Sequence, residues 1–409
     1  MDISYVDYSR KKDIHGSVLY PAVMVAPVQN DLLNKIYEDD KFHSVFDPFH
    51  GSGISLYEAS QLSTDIFLYG YDINPLANLI TKSKLSGVDN QIENDIALIE
   101  DILKQNVIFP IVDFVNIDKW YRKDIQLLLS KLRYAIECVD SKINRLFFWT
   151  IYSNTVRKYS NSRSSTYKLH IKQVDKIANM KSNVFEDFLS QVKEYYKYFT
   201  KKAINWKLVK GDSKSLIKTN PNDSFDITIT SPPYGDNNTT VPYGQFSSFA
   251  LRWIPTKDLE FSGWETETYS SIDNNSLGGN KSSSKLSEYE KNLINPYLSK
   301  ISLDKKDKVI RFMADYFEIL NEICRVTKKY IVMTLGNRTV DGITINLTEI
   351  TCEYLEAHGF QNTILIEREI KRKRIPKMTS KVKDVSVTSM NREYVIVHKK
   401  TNSSSKIIS

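Results

Sequence analysis

Cysteine is almost missing from this chain of 409 residues: Cys138, Cys324 and Cys352 are the whole supply. Three scattered thiols cannot build a disulfide framework or a cysteine-rich zinc cluster, so they read as free core thiols in a reducing compartment, and no metal site is expected. No apolar run approaches the roughly 18 residues that a membrane span needs. The opening "MDISYVDYSRKKDIHG" lacks the apolar core of a signal peptide, so a cytoplasmic, unprocessed protein without a membrane partner is expected. Internal repeats are missing too, and charge of neither sign dominates. The 56 Lys and Arg against 49 Asp and Glu leave +7, an excess that suits a polyanionic partner without establishing one.

What the chain does contain is a series of seven β-branched and aromatic runs, several ending in Gly, Asp or Pro: 43–49, 65–72, 206–212, 225–231, 330–336, 360–368 and 393–400. Helical patterns separate most of them. That alternation predicts an α/β fold with a mostly parallel seven-stranded sheet covered on both faces. The last two runs follow each other through a loop, which allows an antiparallel final strand. Residues 91–204 turn helical, with Ile92, Ile96, Ile99 and Leu103 on one face and similar stripes at 125–136 and 185–199, and are expected to form an inserted helical subdomain. The main domain would then comprise 1–90 and 205–400. The Ser-, Asn- and Gly-rich stretch 270–289 has little to bury and is expected to be a mobile loop, and 401–409 a frayed tail.

Two strand ends carry chemistry. In "VFDPFHGSGISLYEAS" a strand runs into Asp47, then Gly51 and Gly53, then a helix. Glycine there allows a sharp turn and close approach of a ligand to the backbone. Asp72 ends the next strand, at about the 20-residue spacing of an acid that hydrogen-bonds ribose hydroxyls, so a nucleoside-containing cofactor is implied. The third glycine of a dinucleotide fingerprint is missing, which argues against a pyrophosphate. Asp47 would suit a ligand with a positive end, such as a methionyl amino group. Asp212, at the end of a third strand, can accept from an adenine amine or cap a helix.

The other strand end is "TITSPPYGDN", residues 228–237. Proline cannot donate to a sheet ladder, so the strand stops at Ser231, and Pro232 and Pro233 make the following segment rigid. A carbonyl beside the first proline and the Ser231 side chain could hold the two hydrogens of an exocyclic amine, favouring a pyramidal nitrogen whose lone pair points at an electrophilic methyl group. Tyr234 offers a face on which an extruded base could stack.

In these motifs the chain resembles the S-adenosylmethionine-dependent amino methyltransferases of DNA. "DPFHGSG", with Asp47, Phe49, Gly51 and Gly53, is similar to their cofactor motif, and "TSPPY" to their catalytic motif. "HGSVLYPAVMVAPVQNDLL" (15–33), with His15, Tyr20, Pro21 and Pro27, is similar to their cofactor-capping segment. The resemblance spans residues 15–400, although the helical insert and the Ser-rich loop match nothing in it. It implies a Rossmann-like class I methyltransferase domain whose Asp72 holds the ribose and whose Asp212 reads the adenine of S-adenosyl-L-methionine. Serine at the first catalytic position is the pattern more often seen in N4-cytosine enzymes, Asp or Asn in N6-adenine ones. C5-cytosine chemistry needs a nucleophilic cysteine, and none of the three follows a proline or adjoins a strand-end motif.

Such an enzyme must flip its base out of double-stranded DNA and hold the deformed duplex. Two acid-free basic runs suit phosphate contact: 156–172, with Arg157, Lys158 and Arg163, and 371–383, with Lys371, Arg372 and Arg374. Tyr243 and Gln245, soon after the catalytic turn, are candidate base contacts. The expected activity is site-specific N4-cytosine methylation as the modification enzyme of a restriction-modification system, with a cognate restriction endonuclease as a candidate partner. An N6-adenine enzyme, an RNA amino methyltransferase and a catalytically silent DNA-recognition subunit are the alternatives.

Overall fold

The computed structural model describes residues 5, 8–200, 202–236, 240–279, 285–369 and 392–401. The basic run 371–383, with Lys371, Arg372 and Arg374, and most of the tail lie outside the described residues.

Among these, the seven runs form one sheet. Its strands are β1 (Ser44–Asp47), β2 (Phe67–Asp72), β3 (Trp206–Lys210), β4 (Phe225–Thr230), β5 (Thr327–Leu335), β8 (Phe360–Glu369) and β9 (Arg392–Lys400), and a small hairpin adds β6 (Arg338–Val340) and β7 (Ile343–Ile345). The spatial order is β3-β2-β1-β4-β5-β9-β8. The first five strands of that order pair in parallel, while β9 runs antiparallel to both β5 and β8. This is a Rossmann-like α/β fold. The order reverses direction between β1 and β4, and the crevice outside the carboxyl ends of those two strands is where such sheets bind ligands.

Both faces of the central strands are apolar because both are covered. Val45, Ile227, Ile229, Val332, Val395 and Val397 share a core with Leu32 and Leu33 of the helix Ala26–Asp39 and Leu56 of the helix Ile54–Ser60. Phe46, Ile331, Met333 and Ile396 point the other way, against Phe317 and Leu320 of the helix Leu303–Val326 and Leu355 of the helix Leu347–Ala357. The alternation of faces within each strand is the period of two that a pleated strand imposes.

The segment between β2 and β3 is helical, as its periodicity predicts. Ile92, Ile96, Ile99 and Leu103 are buried on one face of the helix Ile92–Lys104, and Phe188 and Val192 on the helix Val184–Tyr195. These helices close a single core with Leu76 and Ile80 of the helix Pro75–Ser86 and with Phe249 and Trp253 of the helix Tyr243–Trp253. The helical segment is therefore built onto the wall of the crevice.

Residues 270–279 differ from the loop expected of them. Ile272, Asp273 and Leu277 are buried, and Asp273 caps the helix Tyr243–Trp253 by accepting the N–H groups of Gly244 (2.9 Å) and Gln245 (3.3 Å). A polar composition concealed this because the few apolar side chains all turn inward, and the buried acid serves orphan donors of a helix end.

Candidate active site

An open cleft of about 840 Å³, solvent-facing space included, lies over the carboxyl ends of β1, β2, β3 and β4. Its walls include Tyr20 to Met24, Phe49 to Ser52, Asp72 to Asn74, Asp212, Ser231, Pro233, Tyr243 and Asn275 to Leu277. Residues far apart in sequence meet here because parallel strands deliver all their outgoing turns to one edge.

The turn after β1 is held by its glycines. Gly51 and Gly53 have φ of +51° and +74°, and a Cβ on Gly53 would lie 2.6 Å from the side chain of Thr81. The Gly51 N–H donates to Asp72 Oδ2 (2.9 Å), and the Asn74 N–H to Oδ1 (2.8 Å), so the acid at the end of β2 is braced from both sides while facing the cleft. Burial pushes the Asp72 carboxyl above the usual range, and the two backbone donors oppose that shift. Asp212 does both things its position allows: it accepts from Lys214 N–H (3.1 Å) and the Ser215 hydroxyl (2.9 Å) as a helix cap, and it lines the cleft.

Asp47 is placed differently from its expected role. It is fully buried and stands outside the cleft lining, with Oδ1 accepting from Phe49 N–H (3.0 Å) and the Thr230 hydroxyl (2.7 Å), and Oδ2 from the Ser55 hydroxyl. Both oxygens accept from internal donors, and the carboxylate is buried behind the cleft lining rather than in it. What Asp47 does instead is tie the cofactor-type turn to the last residue of β4, one position before Ser231.

Strand β4 ends at Thr230, whose last ladder partner is Met333. Ser231 and Pro233 line the cleft and Pro232 is buried. Ser231 Oγ lies 3.1 Å from Tyr234 Oη. With serine donating in that contact, both lone pairs of its oxygen remain for an amine. Tyr234 is not a cleft-facing platform: its ring packs on the core beside the helix Leu303–Val326, and burial, reinforced by the Glu393 carboxylate, raises its hydroxyl pKa. Tyr20 and Tyr243, with ring centres 5.8 Å apart, line the cleft together with Phe49.

The remaining candidates divide. Gln245 is absent from the cleft lining, and its Oε1 accepts the Leu169 N–H (3.3 Å). Arg157 is turned inward, donating to the Thr166 (2.8 Å) and Tyr167 (3.3 Å) carbonyls and lying 4.5 Å over the Phe246 ring, and burial lowers its pKa to about 10. Lys158 is exposed and paired with Asp187, and Arg163 is exposed with its Nε donating to the Ile171 carbonyl (3.2 Å). Sequence reasoning missed Asn74, which caps the helix Pro75–Ser86 through Leu76 N–H (3.0 Å) and donates to Tyr20 Oη (3.1 Å) and Ser247 Oγ (2.7 Å). The signal was available: an Asn before a Pro at a helix start, two residues after the acid. His50 and residues 275–277 carried no such signal.

A Rossmann-like sheet with a braced acid, a glycine turn and a Ser-Pro-Pro strand end around one cleft is an arrangement suited to group transfer from a nucleoside cofactor. The chain is 28% identical over 436 aligned positions to the Type II methyltransferase M.MvaI of Kocuria varians, covering 97% of this chain and 93% of that protein. Two solved structures are also similar at a TM-score of 0.31: a precorrin-6y C5,15-methyltransferase from Geobacter metallireducens GS-15 (11% identity, 98% of each chain) and the rRNA methyltransferase aviRa from Streptomyces viridochromogenes (10% identity, 94% and 90%). No family model matches. The nearly full-length likeness to M.MvaI supports a methyltransferase, and no helix among the described residues is long and apolar enough to cross a membrane.

Proposed function

We propose that this protein is a site-specific DNA methyltransferase that transfers a methyl group from S-adenosyl-L-methionine to the exocyclic N4 amine of cytosine in double-stranded DNA. The observation that carries the reading is that Ser231, at the rigid end of β4, opens onto the same cleft as Asp72 and Asp212. The cleft suits the cofactor: carboxylates at the ends of β2 and β3 match ribose hydroxyls and an adenine amine, and Phe49, Ile73 and Leu277 offer apolar surface for the base.

When bound, S-adenosyl-L-methionine supplies an electrophilic methyl group on a sulfonium. The protein's part is positioning. Ser231 Oγ and a neighbouring backbone carbonyl would accept the two amine hydrogens, favouring a pyramidal nitrogen whose lone pair faces the methyl group, and the nitrogen would release one of those protons to solvent once methylated. Tyr234 orients the serine hydroxyl, and Tyr243 and Tyr20 offer stacking surface to an extruded base. Preorganised acceptors of this kind act without a covalent intermediate. The similarity to a type II methyltransferase supports a modification role beside a cognate restriction endonuclease.

The test is to express the chain in a host lacking DNA methylation and to sequence its genome with modification-sensitive chemistry. N4-methylcytosine in one short motif is expected, with kcat of Ser231→Ala reduced roughly 100-fold. N6-methyladenine would overturn the cytosine assignment, and folded, cofactor-binding protein that modifies no DNA base would overturn the DNA reading.

A further inference from the structure

The run Tyr20–Met24 forms one wall of the cleft, yet it belongs to no helix or strand. Within it Ala22 has φ of +45°, a left-handed conformation that a side chain resists. Something outside the run must hold it there. On its N-terminal side, His15 Nε2 lies 2.8 Å from Glu58 Oε1, and on its C-terminal side Asn30 Nδ2 donates to Glu58 Oε2 (2.9 Å). One carboxylate, on the helix Ile54–Ser60 that follows the glycine turn, therefore grips both flanks of the wall.

The grip continues into the turn itself. Lys84 Nζ, almost completely buried, donates to the Ser52 carbonyl (2.7 Å) and lies 3.2 Å from His15 Nδ1. A lysine donating to Nδ1 fixes the tautomer, so Nε2 carries the proton given to Glu58. The His15 ring is further held edge-on to Tyr57, with centres 5.3 Å apart. The helical segment adds a second hold between the anchor and the wall, where Asn154 donates to the Ser17 carbonyl (2.7 Å) and accepts the Leu19 N–H (2.9 Å). Glu58 and Lys84 stand outside the cleft lining, so their effect on a ligand passes through the wall they hold.

We propose that Glu58 is a positioning residue for cofactor binding, clamping His15 and Asn30 so that Tyr20–Met24 is preformed as a wall of the cleft. This rests on the S-adenosyl-L-methionine reading given above. A wall that must be ordered on binding costs affinity, whereas the amine acceptors at Ser231 lie on a different strand end and keep their geometry. Loss of Glu58 should thus appear in cofactor affinity and leave turnover at saturation in place.

The experiment is calorimetric titration of S-adenosylhomocysteine into the full-length protein, alongside steady-state kinetics with S-adenosyl-L-methionine and thermal melting. Glu58→Ala is expected to weaken S-adenosylhomocysteine binding and raise KM for the cofactor roughly ten-fold, with kcat within about two-fold of wild type. Glu58→Gln, which keeps one acceptor oxygen, is expected between the two. Should Glu58→Ala fail to fold, Asn30→Ala removes one flank alone and is expected to give a smaller loss in the same direction. Wild-type affinity in a folded Glu58→Ala protein, wild-type affinity in Asn30→Ala where only that variant folds, or a defect confined to kcat would overturn the anchor. Wild-type protein that binds no S-adenosylhomocysteine would overturn the cofactor reading and the anchor with it.

Discussion

Single atoms decide the shape of the glycine turn. Gly53 sits at φ +74° with Thr81 so near that a methyl group has no room, and Thr81 is itself engaged with the Gly51 carbonyl (3.1 Å) and His50. Gly53→Ala combines a left-handed alanine with overpacking and is expected to cost about 2 to 4 kcal/mol, seen as a lower thermal midpoint, with weaker S-adenosylhomocysteine binding. An unchanged midpoint would show that the helix Pro75–Ser86 yields freely at Thr81. At Asp47 the residue scale corrected the sequence reading. An acid beside a glycine turn looks like a ligand group, but nothing in the one-dimensional order reveals that Ser55 and Thr230 converge on it. The second of those donors lies 183 residues away.

At the scale of elements, the helix Pro75–Ser86 carries an ionisable group where sequence patterning would put an apolar one. Lys84 is buried against the glycine turn, and burial lowers its pKa to about 7, with Arg10 adding to the shift and Asp13 and Glu58 opposing it. The unfolded chain holds its proton to about pH 10.4. Between roughly pH 7 and 10 the unfolded state therefore binds more protons at this site than the folded state, and the site's contribution to stability rises with pH across that window. Lys84→Met removes this contribution. The melting temperature of the variant relative to wild type is expected to fall as pH rises from 7 to 9; a difference independent of pH would refute the assignment. His15 faces the same cluster, and burial, then Lys84 and Arg10, hold its pKa below the ordinary range, in keeping with a neutral ring between a lysine and a carboxylate.

For the whole molecule, the modest surplus of positive charge matters through where it is exposed. Arg157 and Arg163 stand six residues apart in one basic run, yet the first is half-buried on the Thr166 and Tyr167 carbonyls and the Phe246 ring, while the second is exposed and gives only its Nε to the Ile171 carbonyl (3.2 Å). Measured by fluorescence anisotropy of a duplex over a range of salt, Arg163→Ala is expected to reduce the slope of log K against log salt by about 0.9. Arg157→Met is expected to lower the melting temperature and leave the slope unaltered. The reverse pattern would mean that the helical segment meets DNA through its other face.

The seven strands, to within three residues at their ends, and the helical character of 91–200 were legible in one dimension, because β-branched runs and 3.6-residue stripes report local geometry directly. So were the two chemical strand ends: a glycine turn and a Pro-Pro stop are properties of the backbone at those positions, whatever surrounds them. Tertiary structure alone decided which polar groups are free. It spent Asp47 on Thr230 and Ser55, turned Arg157 inward, folded residues 270–279 onto a helix end, and put His15, Asn30 and Lys84 around Glu58. Hydrogen-bonding capacity is allotted in three dimensions, by contacts between residues tens to hundreds of positions apart, and sequence order does not encode that distance.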